Sequence, residues 1–120
     1  MPQATEDNRR LIVELVTCFG QGDLEGLTRL LHEDFVSHNP GVRNRPGAGR
    51  QAFIDHLRSP AAQVLFTGKL DVQQMIADAE HVAVHSRLSP AEGPELMIVD
   101  IFRVDQGRVA EHWDVIQQVP

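Results

Sequence analysis

Asp100, His112 and Asp114 bring two carboxylates and an imidazole into one C-terminal segment. Even spacing in extended chain puts side chains on one face of a sheet. The segment Val99 to Asp114 alternates apolar and polar residues around Asp105-Gln106-Gly107, the pattern of a hairpin. A three-residue loop there, a type I turn followed by a left-handed Gly, pairs Val104 with Arg108. Counting back, Phe102 then faces Ala110, Asp100 faces His112 and Ile98 faces Asp114, all on one side. Val99, Ile101, Val109, Trp113 and Val115 fall on the other. A two-residue loop would instead pair Ile101 with His112 and break up the cluster. Held together in the first register, the three polar groups are a set of the kind that supplies general acids and bases near neutral pH. The bland alternative is a solvated polar face.

The six His invite a metal test. His38, His85, His112 and an Asp could offer three nitrogens and an oxygen to zinc or iron. No His-x-His or His-Glu-x-x-His spacing supports that set, and no metal or cofactor is expected. His85 lies mid-strand, opposite Val82 and Val84, on a face that could line a cavity. His32, His56 and His81 read as surface or boundary residues. Asn39 is a turn residue whose side chain bonds local backbone. Cys18 reads as a buried, inert thiol.

The elements that must position these groups are legible from periodicity. Leu11, Ile12, Leu15, Val16 and Phe19 form one helix face, with Thr5 as a cap and Gly20 and Gly22 at its end. Asp23 caps a second helix carrying Leu24, Leu27, Leu30 and Leu31, weakened by Gly26. Asp34 to His38 reads as a short strand stopped by Asn39-Pro40-Gly41. Pro40 to Gly49 reads as a loop, whose Arg43 and Arg45, with Arg50, suggest a mobile lid, an anion contact or a solvated segment. A third helix runs from Arg50 to Arg58 with Phe53, Ile54 and Leu57 inward, ended by Ser59-Pro60. Strands are expected at Gln63–Phe66, Lys69–Ala77, His81–Leu88, Glu95–Val104 and Arg108–Val119, joined by short turns as an antiparallel meander. Helices first and strands after define an α+β domain.

With 120 residues, 42% hydrophobic, the chain suits a single domain over residues 1–120 with one core. A net charge of −6 argues against nucleic acid and against an anionic membrane. No apolar run approaches the roughly 20 residues of a membrane span. The polar start, MPQATEDNRR, does not read as a secretory signal, and a lone Cys18 leaves no internal disulfide. A cytoplasmic protein is the expectation.

"FVSHNPGV" after two helices and the terminal "DIFRVDQGRVAEHWDVIQQVP" resemble the SnoaL-like polyketide cyclase group of the nuclear transport factor 2-like superfamily, over nearly the whole chain. The resemblance implies a cone: a strongly curved antiparallel sheet wrapped around three N-terminal helices, with a pocket at its open end. It implies an intramolecular aldol closure without cofactor or metal, or a related lyase, isomerase or hydrolase reaction, on a small apolar or carbonyl compound. Asp114 matches the family's general base. His38 or His112 would polarise the substrate carbonyl, and Asp100 would orient His112. His85, Asn39, Phe53, Phe102, Met75 and Ile98 are the expected substrate contacts. Within the group the chain looks most similar to a subgroup of predicted aldol-condensation-catalysing enzymes, whose usual Gln-His before Asn-Pro is replaced here by Ser37-His38. An epoxide hydrolase would need an Asp-Arg-Asp group, but Arg103 falls on the wrong face; an isomerase would need a Tyr donor, and the chain has no Tyr. A non-catalytic binding domain shares the fold, so fold alone does not choose. The resemblance also implies a homodimer through the outer sheet face, with Ile101, Trp113 and Val115 as contacts.

Overall fold

The computed structural model describes residues 3–43 and 49–120. The chain opens with α1 (Gln3–Gly20) and α2 (Leu24–Leu30), runs into β1 (Leu31–Ser37), and continues through α3 (Pro40–Arg43), α4 (Arg50–Leu57) and α5 (Pro60–Phe66). Four long strands follow: β2 (Lys69–Ala77), β3 (His81–Ser89), β4 (Leu96–Asp105) and β5 (Arg108–Gln118). They form one five-stranded sheet in the order β1-β5-β4-β3-β2. The meander is antiparallel, but β1 joins the edge of β5 in parallel. This is the expected α+β architecture with one parallel pair added.

Local chemistry explains the helical third. Asp23 caps α2 by accepting the Gly26 N–H at 2.9 Å. Gly26 is required there: a β-carbon would run into the Asp23 carboxylate and come within 2.7 Å of the Cys18 sulfur, so its lower helix propensity is offset by close packing of α1 on α2. Cys18 is half-buried rather than buried, and burial followed by the nearby Asp23 carboxylate pushes its thiol up from the ordinary value. Thr5 is not a cap: α1 begins at Gln3, and Thr5 is buried within its first turns. Asn8 pins α1 to the sheet, donating to the carbonyls of Asp78 and Ala79 in the β2–β3 turn.

Two segments depart from expectation. Gln63–Phe66 is the end of helix α5, not a strand. Pro60 suits the first helical position and the Ser59 hydroxyl accepts the Ala62 N–H, so Ser59-Pro60 ends one helix and starts the next. Asn39-Pro40 plays the same double part: Asn39 Oδ1 accepts the Gly41 N–H at 2.8 Å, and Pro40 opens α3 where only loop was expected. Arg45 lies outside the described residues, as does the rest of 44–48.

The core gathers Ile12, Leu15, Leu27, Leu31, Phe35, Ile54, Leu57, Val82, Val84, Phe102 and Val109 between the helices and the concave side of the sheet. Irregular pairing bends that sheet. Register shifts fall between Leu31 and Val36, between Val72 and Gln74, and opposite Arg103–Val104. Extra residues of this kind bend a strand and increase its twist, which closes the sheet around the helices.

Candidate functional site

The β4–β5 turn fixes the site's geometry. Asp105 pairs with Arg108 and Val104 with Val109, so the loop is the two-residue Gln106-Gly107, with φ of +53° and +76°. Two positive φ values match the twist of a tight hairpin, and Gly107 takes one at no steric cost. The expected three-residue loop is therefore absent. The cluster survives because Ala110 is inserted as a bulge: beyond it Arg103 pairs with Glu111, Phe102 with His112, Ile101 with Trp113 and Asp100 with Asp114. One skipped residue undoes the parity change of the shorter loop. It also turns Val109 into the core, fully buried, where the outer face was expected.

Asp100, Phe102, His112 and Asp114 thus share the concave face and line a cavity of about 380 Å³ with Asn39, Phe53 and Ile98. Most of the remaining wall is apolar, from Leu15, Val16 and Phe19 on α1 to Leu70, Val84 and Ile116 on the sheet. The polar groups are bonded to one another. His112, only 4% exposed, meets Asp100 Oδ1 through Nε2 at 2.9 Å and the Ser37 hydroxyl through Nδ1 at 3.2 Å. Its ring stacks on Phe102, with centroids 5.0 Å apart, and receives Phe53 at 5.6 Å edge-on. Asn39 donates from Nδ2 to Asp114 Oδ2 at 2.7 Å. Because Asn39 Oδ1 is engaged by the Gly41 N–H, the orientation of its amide is determined. Asn39 therefore combines the expected local backbone bond with a place on the cavity wall.

Three expected contacts lie elsewhere. Ser37 ends β1 and His38 follows it in extended chain, so Ser37 points inward and His38 outward. His38 bonds Glu111 at 2.6 Å and stacks on Trp113, 5.1 Å away and nearly parallel. His85 also faces outward, because Val82, Val84, Ser86 and Leu88 take the inner side of β3. Met75 packs half-buried against the core without lining the cavity. The weighed metal set of His38, His85 and His112 is consequently split between two faces. Among the described residues, the groups that could hold a cation are Asp100, His112 and Asp114, whose ligand atoms lie within 4.8 Å of one another. A metal there would have to break the His112–Asp100 bond.

Outside, Glu111 also takes the Arg103 guanidinium at 2.9 Å. The His38 hydrogen bond, aided by Arg103 and opposed by burial, holds the Glu111 carboxyl below its ordinary value. Asp78 is lowered too, chiefly by the Glu80 backbone N–H and then by that of His81.

Sequence reasoning missed Ser37, Ser86 and His56. Ser37 and Ser86 needed only the inward parity of their strands. The ring of His56 lines the cavity beside Gly41, where a β-carbon would stand 2.5 Å from its Cε1. No local pattern announces that approach, since it joins α3 to α4.

The sequence pattern of the SnoaL-like domain matches residues 12–112. A search of curated protein sequences finds no match. Among solved structures the chain is similar to a candidate ketosteroid isomerase from Kribbella flavida, with 23% identity, a TM-score of 0.79 and coverage of 97% of this chain and 82% of that one. It is similar to IdmH, a candidate polyketide cyclase from Streptomyces antibioticus, at 24% identity, TM-score 0.74 and coverage of 97% and 93%. An NTF2-like protein of unknown function from Mesorhizobium loti gives 21% identity, TM-score 0.78 and coverage of 98% and 96%. Identities this low speak for the fold alone. Among the described residues no helix is long and apolar enough to cross a membrane.

Proposed function

The chain belongs to the SnoaL-like domain family, and from that membership and the cavity we propose a cofactor-free acid–base enzyme, of aldol cyclase or lyase type, acting on a small carbonyl compound. The observation that carries the reading is Asp114: a carboxylate with one oxygen tied to Asn39, facing an apolar cavity beside a second carboxylate. Cavities of this size and lining suit a small ligand with an apolar body and few polar groups. Solved structures of the same fold include a candidate polyketide cyclase and a candidate ketosteroid isomerase. The chain has no Tyr to build the isomerase's oxyanion hole, which favours the cyclase side.

In the proposed reaction Asp114 Oδ1 takes the proton alpha to the substrate carbonyl, since Oδ2 is held by Asn39. The C–H electron pair moves into an enolate. The enolate carbon attacks a second carbonyl of the same molecule, and the resulting alkoxide recovers the proton from Asp114. Atoms and charge balance without a cofactor. The base contributes about 10²–10⁴ in rate. His38, on the outer face, has no part in this scheme, and both nitrogens of His112 are engaged within the protein.

The test is hydrogen–deuterium exchange at the alpha carbon of simple cyclic ketones and β-keto esters in D₂O. Wild-type protein should catalyse exchange and Asp114→Asn should lose it. Equal exchange by both would sink the reading. Calorimetric binding of the same probes without exchange would favour a non-catalytic binding domain. We also propose the outer sheet face as a homodimer contact, because Ile101 is 37% and Val115 67% exposed beside Trp113. A monomer by light scattering at micromolar concentration would remove that proposal.

A further inference from the structure

We infer that Ser37 is a positioning residue that fixes His112 as the neutral imidazole carrying its proton on Nε2. Ser37 is fully buried at the end of β1, in register with His112 on β5. Its Oγ receives the Asn39 backbone N–H at 3.2 Å and lies 3.2 Å from His112 Nδ1. A backbone N–H only donates, so the Asn39 contact uses a lone pair of the hydroxyl. The hydroxyl hydrogen needs an acceptor, and among the described residues Nδ1 is the one Ser37 meets. Nδ1 can accept only when it carries no proton. The ring proton is then on Nε2, aimed at Asp100 Oδ1 at 2.9 Å. Phe102 and Phe53 pack the ring on two sides, which opposes turning it over.

The order of support therefore reverses the sequence reading. Ser37 orients His112, and His112 orients Asp100, rather than Asp100 setting the imidazole alone. For the chemistry proposed above, on which this role rests, His112 stands one remove from substrate. Of the three clustered groups, Asp114 and the second oxygen of Asp100 are the ones left to meet it. A single turn, Ser37 to Gly41, then holds both carboxylates: Asp100 through Ser37 and His112, and Asp114 through Asn39.

The test is long-range ¹H–¹⁵N spectroscopy of histidine-labelled protein at mildly alkaline pH, with His112 assigned by its loss in His112→Gln. Wild-type protein should show Nε2 protonated and Nδ1 bare. Asp100→Asn should keep that form, because the Ser37 hydroxyl still donates to Nδ1. Ser37→Ala combined with Asp100→Asn should lose the preference and populate both tautomers within a few-fold of each other. Nδ1 protonated in the wild type overturns the inference, and so does an Asp100→Asn protein that has already lost the form. A double variant that keeps it does the same. The spectra need no turnover: an Nε2–H ring in a protein whose Asp114→Asn variant exchanges normally would sink the proposed reaction and leave this assignment standing.

Discussion

Each face of the β4–β5 hairpin contributes a carboxylate to a histidine pair, and the two pairs have opposite surroundings. Inside, His112 meets Asp100 at 2.9 Å, with the imidazole side chain 5% exposed between two phenyl rings. Outside, His38 meets Glu111 at 2.6 Å, with side chains 32% and 24% exposed and Arg103 on the same carboxylate. The outer carboxylate is satisfied from two sides and borders solvent, where ion pairs contribute little. The inner pair opens on an apolar cavity next to Asp114, where water competes less and each polar contact counts for more. Identical functional groups thus make a candidate site on one side and an ordinary surface pair on the other, because of what lies beyond them.

The largest test of this contrast is exchange activity. Asp114→Asn should cost about 10²–10⁴ in rate, whereas Glu111→Gln should stay within a few-fold of wild type; similar losses in both would erase the distinction. Next comes packing. Phe102→Ala removes a buried ring from beneath His112 and should cost about 3–5 kcal/mol in urea denaturation. Trp113→Ala, under the half-exposed His38, should cost on the order of 1 kcal/mol. A third test is acid stability. The folded Glu111 carboxyl titrates below its ordinary 4.5. Its pair therefore stabilises the fold above that value, and the contribution is lost as pH falls through the lower, folded value. Glu111→Gln or His38→Ala should flatten that part of the stability profile, by about 1 kcal/mol or less. The smallest effect on the fold belongs to Val115→Glu. It should change stability by no more than about 0.5 kcal/mol while dissociating the proposed dimer, as read by light scattering.

Much of this arrangement was legible beforehand. The boundaries of β2 to β5 follow from alternation and from turn residues such as Asp78 and Gly107. Even spacing puts Asp100 with Phe102 on one face of β4 and His112 with Asp114 on one face of β5; whether those two faces coincide depends on the turn. The loop type was not legible, because Asp-Gln-Gly suits both a two-residue and a three-residue turn. The right face was reached through the wrong register, and only the Ala110 bulge reconciles them. A short apolar run such as Gln63–Phe66 has no decisive period; the Ser59 cap and Pro60 decide it for helix.

The sequence alone determined what is carried between residues two to four apart: helix faces, caps, the alternation of strands and hence which side chains could act together. Tertiary structure decided what depends on strand pairing across great separation. Ser37 meets His112, and Asn39 meets Asp114, each across 75 residues. Both contacts exist because β1 adds in parallel to β5, burying Ser37 and turning His38 out. Parallel addition leaves no turn signature in the chain. It is selected by the burial of Leu31, Phe35 and Val109 in one core, a choice made by the folded molecule as a whole.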